Sequence, residues 1–236
     1  MSLPDIHAWR CRVAGLTGLL LALSACQTRV LLPTSTQPET APVAATPAQA
    51  LRRLEWCWEH HATEGCPDLL TCDFQFVFAA TDSAGNAFRN RAWVRPDELS
   101  FILNLLKRGS ATEPPANFVA LQFDPVLAAV ADDRPGRDPR WHQMIRSQLI
   151  VVVENPTREY RALGVQRFYL ARGDSACIPQ ELRDRGFGPD STRWWIEQWQ
   201  EEDKPLAPAG AAALIRPMTV GALKASYFQP PPAAEP

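Results

Sequence analysis

From Asn117 onward the 236-residue chain is dominated by four runs that read as long strands: Asn117–Asp124, Trp141–Glu154, Glu159–Arg172 and Thr192–Glu201. In the second run Ile145, Leu149, Val151 and Val153 share one parity, and His142, Met144, Arg146 and Gln148 the other. The separators are turn chemistry: "DDRPGRDP", "NPT" and the longer "GDSACIPQELRDRGFGPDS". Successive strands joined in this way make an antiparallel sheet, and a sheet with an apolar face needs a layer to cover it.

That layer is encoded upstream. Thr46-Pro47-Ala48-Gln49 offers an N-cap hydroxyl, a Pro at N1 and a Gln at N3, and Leu51, Leu54 and Trp58 recur at helical spacing before Gly65 and Pro67 end the run. A short turn, "PDLL", leads into "CDFQFVFAA", where Phe74, Phe76 and Phe78 alternate with Gln75 and Val77 as in a half-buried strand. After the turn "DSAGN", Pro96 opens a second helix with Asp97 and Glu98 in its first turn, Leu99, Ile102, Leu103 and Leu106 on one face, and Lys107, Arg108 and Gly109 at its end.

The order of helix, short helix, strand, helix and antiparallel strands is that of an α+β domain with helices against one curved sheet. Together with "TCDFQFVF" and "RWWIEQW", it resembles the NTF2-like (SnoaL-type) cone over roughly Thr46–Asp203. The stretch "RGDSACIPQELRDRGFGPDSTRWWIEQWQEED" with "MTVGALKASYF" is also similar to uncharacterised bacterial lipoproteins carrying that fold.

The first residues fit that likeness. Arg10 and Arg12 precede a short apolar segment, Val13 to Leu23, which is below the roughly 20 residues a membrane span requires and has the form of an export signal. Leu23-Ser24-Ala25-Cys26 resembles the bacterial lipobox, whose cysteine thiol receives diacylglycerol after cleavage just before it. The expected organisation is a signal peptide at 1–25, a Pro/Thr/Ala-rich tether at 26–45, the folded domain at 46–203 and a C-terminal extension at 204–236 that ends in Pro-rich "QPPPAAEP". Gln27 after the lipidated cysteine implies, in a host with two membranes, an outer-membrane anchor facing the periplasm.

Cleavage removes two of the 24 basic and one of the 26 acidic side chains, leaving a formal charge of −3. No basic stripe accompanies it, so nucleic acid is not an expected partner. The partners expected are the membrane, through lipid, and a small apolar ligand or a protein. No cofactor is implied, since nucleophile elbow, phosphate loop and dinucleotide fingerprint are all missing from the sequence.

Catalytic members of NTF2-like folds place a carboxylate base opposite Tyr or His donors in an apolar cavity. The resemblance implies Glu197 or Asp73 as base and His142 or Tyr169 as donor. Simple strand parity puts Trp194, Ile196 and Gln198 opposite Trp195, Glu197 and Trp199. Bulky apolar residues outnumber these polar candidates, which favours binding over catalysis. Arg172-Gly173-Asp174-Ser175 spells an adhesion tripeptide in what reads as turn material. Cys57, His60, His61, Cys66 and Cys72 match no common zinc spacing, and outside the cytoplasm a disulfide is the better expectation, Cys57–Cys66 first and Cys57–Cys72 second.

Overall fold

A computed structural model describes residues 40–83, 86, 88, 91–173, 178–186, 188, 190–203 and 218–228, all within the compact unit Pro38–Pro236. Cys26, the signal segment and most of the tether lie outside the described residues. The element order is α1 (Pro47–Glu59), a 3-10 turn (Pro67–Leu69), β1 (Leu70–Val77), β2 (Trp93–Val94), α2 (Arg95–Leu103), β3 (Phe118–Phe123), β4 (Ala129–Ala131), β5 (His142–Glu154), β6 (Glu159–Gly173), α3 (Gln180–Asp184), β7 (Asp190–Glu201) and α4 (Val220–Tyr227).

The strands form one curved, unclosed sheet in the order β2-β1-β7-β6-β5-β3, with β4 also on β5. β5 and β6 pair antiparallel from His142↔Ala171 to Glu154↔Glu159, so the "NPT" turn sets the register of the longest hairpin. All described pairings are antiparallel except β1 on β7, which runs parallel and lets a strand from the N-terminal half enter the sheet beside the last one.

Local chemistry explains the helices. Thr46 Oγ1 accepts from the Gln49 N–H at 3.2 Å, and Pro47 follows at the first helical position. At α2, Asp97 accepts from the Val94 N–H at 3.1 Å and receives both arms of the Arg91 guanidinium. α1 lies on β3, β5 and β7, while α2 lies on β1 and β2. Beneath them Trp58, Phe101, Phe76, Phe168 and Trp199 form a continuous aromatic core, with ring centroids 5.0–6.1 Å apart along the chain of contacts through Trp199 and Trp58.

Two findings depart from the sequence expectations. The domain does not stop at residue 203: α4 contributes Val220, Leu223, Lys224 and Tyr227, each 0% exposed, to the interior. Their i, i+3, i+4, i+7 spacing is a core-facing helical stripe, disguised in sequence by a lysine at one of its four positions. Gly221 is required for its approach, because a Cβ there would stand 2.7 Å from Phe78 Cδ1 and 3.0 Å from Glu201 Oε2. The second departure is a bulge in β7. Leu170 pairs with Ile196 and Tyr169 with Gln198, which leaves Glu197 as the extra residue. Beyond it the parity reverses, so that Trp199 joins Trp194 and Ile196 in the core.

β3 ends the sheet, and α1 guards its free edge. The Leu121 and Phe123 N–H groups donate to Glu59 and Glu55, so the unpaired edge meets carboxylates rather than another strand. Burial, then the neighbouring Glu55 charge, push Glu59 up to about 7 from an ordinary 4.5. The folded state therefore binds this proton more tightly than the unfolded chain. The resulting stabilisation is fully present below pH 4.5 and is lost as pH rises through about 7. Thermal melts at pH 5 and pH 8 are expected to show a loss of stability at the higher pH that Glu59→Gln reduces.

Candidate functional site

The face of β5, β6 and β7 turned away from α1 carries the residues expected to do chemistry. On it Met144 pairs with Tyr169, Tyr169 with Gln198, and His142 with Ala171. The segment after β4 folds back over this face and delivers Asp132, Arg134 and Arg137. Arg134 spans two carboxylates, reaching Asp132 Oδ2 at 2.6 Å and Glu197 Oε2 at 2.5 Å, and its guanidinium lies 4.3 Å from the Tyr169 ring centroid. Arg137 takes the other oxygen of Glu197. His142 Nδ1 stands 3.9 Å from Glu197 Oε2, beyond hydrogen-bond range, and has no hydrogen-bond partner.

The structure thus brings together Glu197, His142 and Tyr169, but on the outer face of the sheet and not in the interior of the cone. The bulge is the cause: it turns Glu197 outward and Trp199 inward. Asp73 is not part of the group. It is exposed on β1, in the stretch between Leu70 and Gln75 where the β1–β7 register shifts.

Asp132, His142 and Glu197 offer ligand atoms within 4.8 Å of one another, the converging set of His and carboxylates among the described residues. The guanidiniums occupy that point already. Burial raises the Asp132 pKa, yet the side-chain and backbone hydrogen bonds from Arg134 outweigh it and hold the carboxyl below its usual range. Burial likewise works against the Arg134 charge, and its two carboxylate partners overcome this. A metal ion here would displace or face two fixed cations, so these donors do not suit one.

The interior is organised around a second charged group. Lys224, 0% exposed, donates to both oxygens of Glu98, with Nζ 2.5 Å from Oε2, and the Trp93 indole N–H donates to the same oxygen at 2.8 Å. Four ring centroids surround the ammonium: Trp199 at 4.1 Å, Phe76 at 4.5 Å, Phe101 at 4.7 Å and Trp93 at 5.9 Å. Burial lowers the Lys224 pKa, opposed by Glu98. Sequence reading missed both members, taking Glu98 as a first-turn helix charge and leaving Lys224 in the extension.

Next to this box, at the β1–β2 edge, lies an open groove of about 530 Å³ whose walls include Phe76, Phe78, Phe88, Trp93 and Arg91. Phe78 and Phe88 stack at 5.1 Å, and Trp93 meets Phe88 edge-on at 5.0 Å. Phe76 and Trp93 therefore belong to the groove and to the box.

Of the cysteines, Cys57 and Cys66 are free thiols in the structure and not the expected bridge; they are buried side by side with a hydrogen bond between them. That bond holds the Cys57 pKa down, while burial pushes Cys66 up. Cys72 is exposed. Asp174 to Cys177, which include half of the adhesion-like tripeptide motif, lie outside the described residues.

No family model matches the sequence, and no curated protein matches it. Solved structures do. A protein of unknown function from Mycobacterium tuberculosis is similar at 12% identity and a TM-score of 0.42, covering 76% of this chain and 80% of its own. An NTF2-like protein of unknown function in nutrient uptake from Rhodospirillum rubrum is similar at 12% and 0.39, covering 66% and 95%. A putative scytalone dehydratase from Novosphingobium aromaticivorans is similar at 9% and 0.40, covering 70% and 91%. The α+β class, helices packed on a curved and mainly antiparallel sheet, is read from this chain's own topology.

Removing Arg134 leaves Asp132 and Glu197 buried with one guanidinium fewer. Arg134→Met is expected to cost about 3 kcal/mol in urea unfolding, at the lower end for a broken buried pair because Arg134 is partly exposed. The triple change Asp132→Asn, Arg134→Met, Glu197→Gln should cost less than Arg134→Met alone, since no uncompensated charge remains.

Proposed function

We propose that this chain is a lipid-anchored cell-envelope module that acts by binding a small apolar ligand, without catalysis of its own. One observation carries the non-catalytic part: the buried carboxylates best placed to act as bases are already engaged. Glu197 holds two guanidiniums and Glu98 holds an ammonium and an indole N–H. To take a proton from a substrate, either would first have to give up a partner whose loss leaves a charge stranded.

The groove supplies the binding site in this proposal. Its volume falls within the roughly 300–1,000 Å³ of small-ligand clefts, and its walls present ring faces and edges without an unpaired charge. Arg91, at its rim, is committed to Asp97. Lipid attachment at Cys26 would place such a groove near the source of apolar molecules, held off the bilayer by the 26–45 tether.

Anchoring and binding are tested separately. In cell fractionation Cys26→Ser is expected to move the protein out of the membrane fraction or leave it unprocessed; full processing with membrane retention contradicts the anchor.

For the groove, N-phenyl-1-naphthylamine, a neutral apolar fluorophore, is titrated into the full chain. Phe88→Asp is expected to weaken binding about tenfold or more, the loss of one large apolar contact, while Glu197→Gln leaves it unchanged. Equal binding by Phe88→Asp contradicts the groove.

A further inference from the structure

The interior box has the composition of a cation-recognition site rather than of a packing core. Four aromatic rings converge on one point within 4.1–5.9 Å, a carboxylate lies beside that point, and an indole N–H orients the carboxylate. Ring faces attract cations through their quadrupoles, most strongly where water is excluded. Every one of these groups comes from β1, β2, α2 or β7, so the box is assembled by elements that precede residue 203. Its occupant comes from elsewhere in sequence: α4 inserts Lys224 as the ammonium.

α4 is held at both ends by polar contacts rather than by the box alone. At its start Thr219 Oγ1 caps Ala222 at 2.9 Å, Glu201 accepts from the Val220 and Gly221 N–H groups, and Asp82 accepts from Thr219 Oγ1 at 2.7 Å. At its end Asn104 and Ser110 donate to the Tyr227 and Ser226 carbonyls. Only the lysine enters the box, and two of the box's rings, Phe76 and Trp93, also wall the open groove. A methionine or leucine at position 224 would seal an apolar core without desolvating a charge, a substitution that is often neutral or stabilising for buried pairs. The lysine is better explained by what the box selects.

We propose that the box is a binding site for primary ammonium groups, that Lys224 is its exchangeable resident, and that external ligands of this site are amines with a short apolar body. This goes beyond the groove's apolar ligand and does not rest on it.

Two measurements on the full chain test the proposal. Lys224→Ala removes three methylenes and the ammonium, the atoms of n-propylammonium. That compound is expected to bind the variant at least tenfold more tightly than n-propanol, and the additional change Glu98→Gln should abolish the preference. If Lys224→Ala does not fold alone, refolding promoted by n-propylammonium and not by n-propanol, followed by circular dichroism, reads the same selectivity. Equal responses to the two compounds, or none to either, overturn the site.

The second measurement uses the unaltered chain. Reductive methylation of Lys224 is compared with the exposed Lys107, and thiol labelling of buried Cys66 with exposed Cys72. Lys224 is expected to be protected at least tenfold less than Cys66, and n-butylammonium, but not n-butanol, should increase its labelling by holding the vacated box. Protection of Lys224 equal to that of Cys66, or labelling indifferent to n-butylammonium, shows a fixed core residue and overturns the exchange.

Discussion

One extra residue in β7 decides where the chain's charges and rings go. With Glu197 bulged between Ile196 and Gln198, the strand keeps its pairing to β6 while reversing its parity. Trp199 then points into the core, where it meets Trp58, Phe76 and Phe168 and donates its indole N–H to Gln166 at 2.8 Å. Glu197 points out, where Arg134 and Arg137 close over it. Without the bulge, Glu197 and Trp199 would share a face, and either a carboxylate would enter the aromatic core or the indole would leave it. The outer charge cluster and the inner box are consequences of the same irregularity.

Both places follow one electrostatic rule. A carboxylate withdrawn from water is tolerated when cations and hydrogen-bond donors complete its shell. On the outer face arginines do this with planar forks that span Asp132 and Glu197 together. Inside, a single ammonium does it with help from ring faces, in a space that a guanidinium fork would not fit as compactly. The result is a domain whose polar groups are matched internally and whose accessible apolar surface lies at the β1–β2 groove. That distribution suits recognition by shape and apolar contact, and it leaves little free acid or base for turning over a bound molecule.

Much of the scaffold was legible because its signals are local. The Thr46-Pro47 start, the Asp97 charge in the first turn of α2, the alternation along β5 and the "NPT" turn each act within a few residues, and each stands where the sequence implied. The site was less legible because its determinants are not local. No residue type near Glu197 announces a bulge, so alternation carried through it assigned Trp199 and Gln198 to the wrong faces. Arg134 and Arg137 sit in "DDRPGRDP", which as sequence is only a turn. α4 escaped because a lysine occupies the i+4 position of an otherwise apolar stripe, and its partner Glu98 is 126 residues away. α3 was likewise absorbed into a supposed turn, although Ile178 and Leu182 pack with Trp195 in a small core of their own.

The central claim is that the interior of this domain is closed by a charged amine seated among aromatic rings. Nitrogen-15 and proton NMR of the lysine side chains tests it most directly, with exposed Lys107 as the internal reference. The account predicts a Lys224 ammonium resonance in slow exchange with water and with its methylene protons shifted strongly upfield by the Trp199, Phe76 and Phe101 rings. A Lys224 side chain with the shifts and fast exchange of Lys107 would place the amine in solvent and contradict the account.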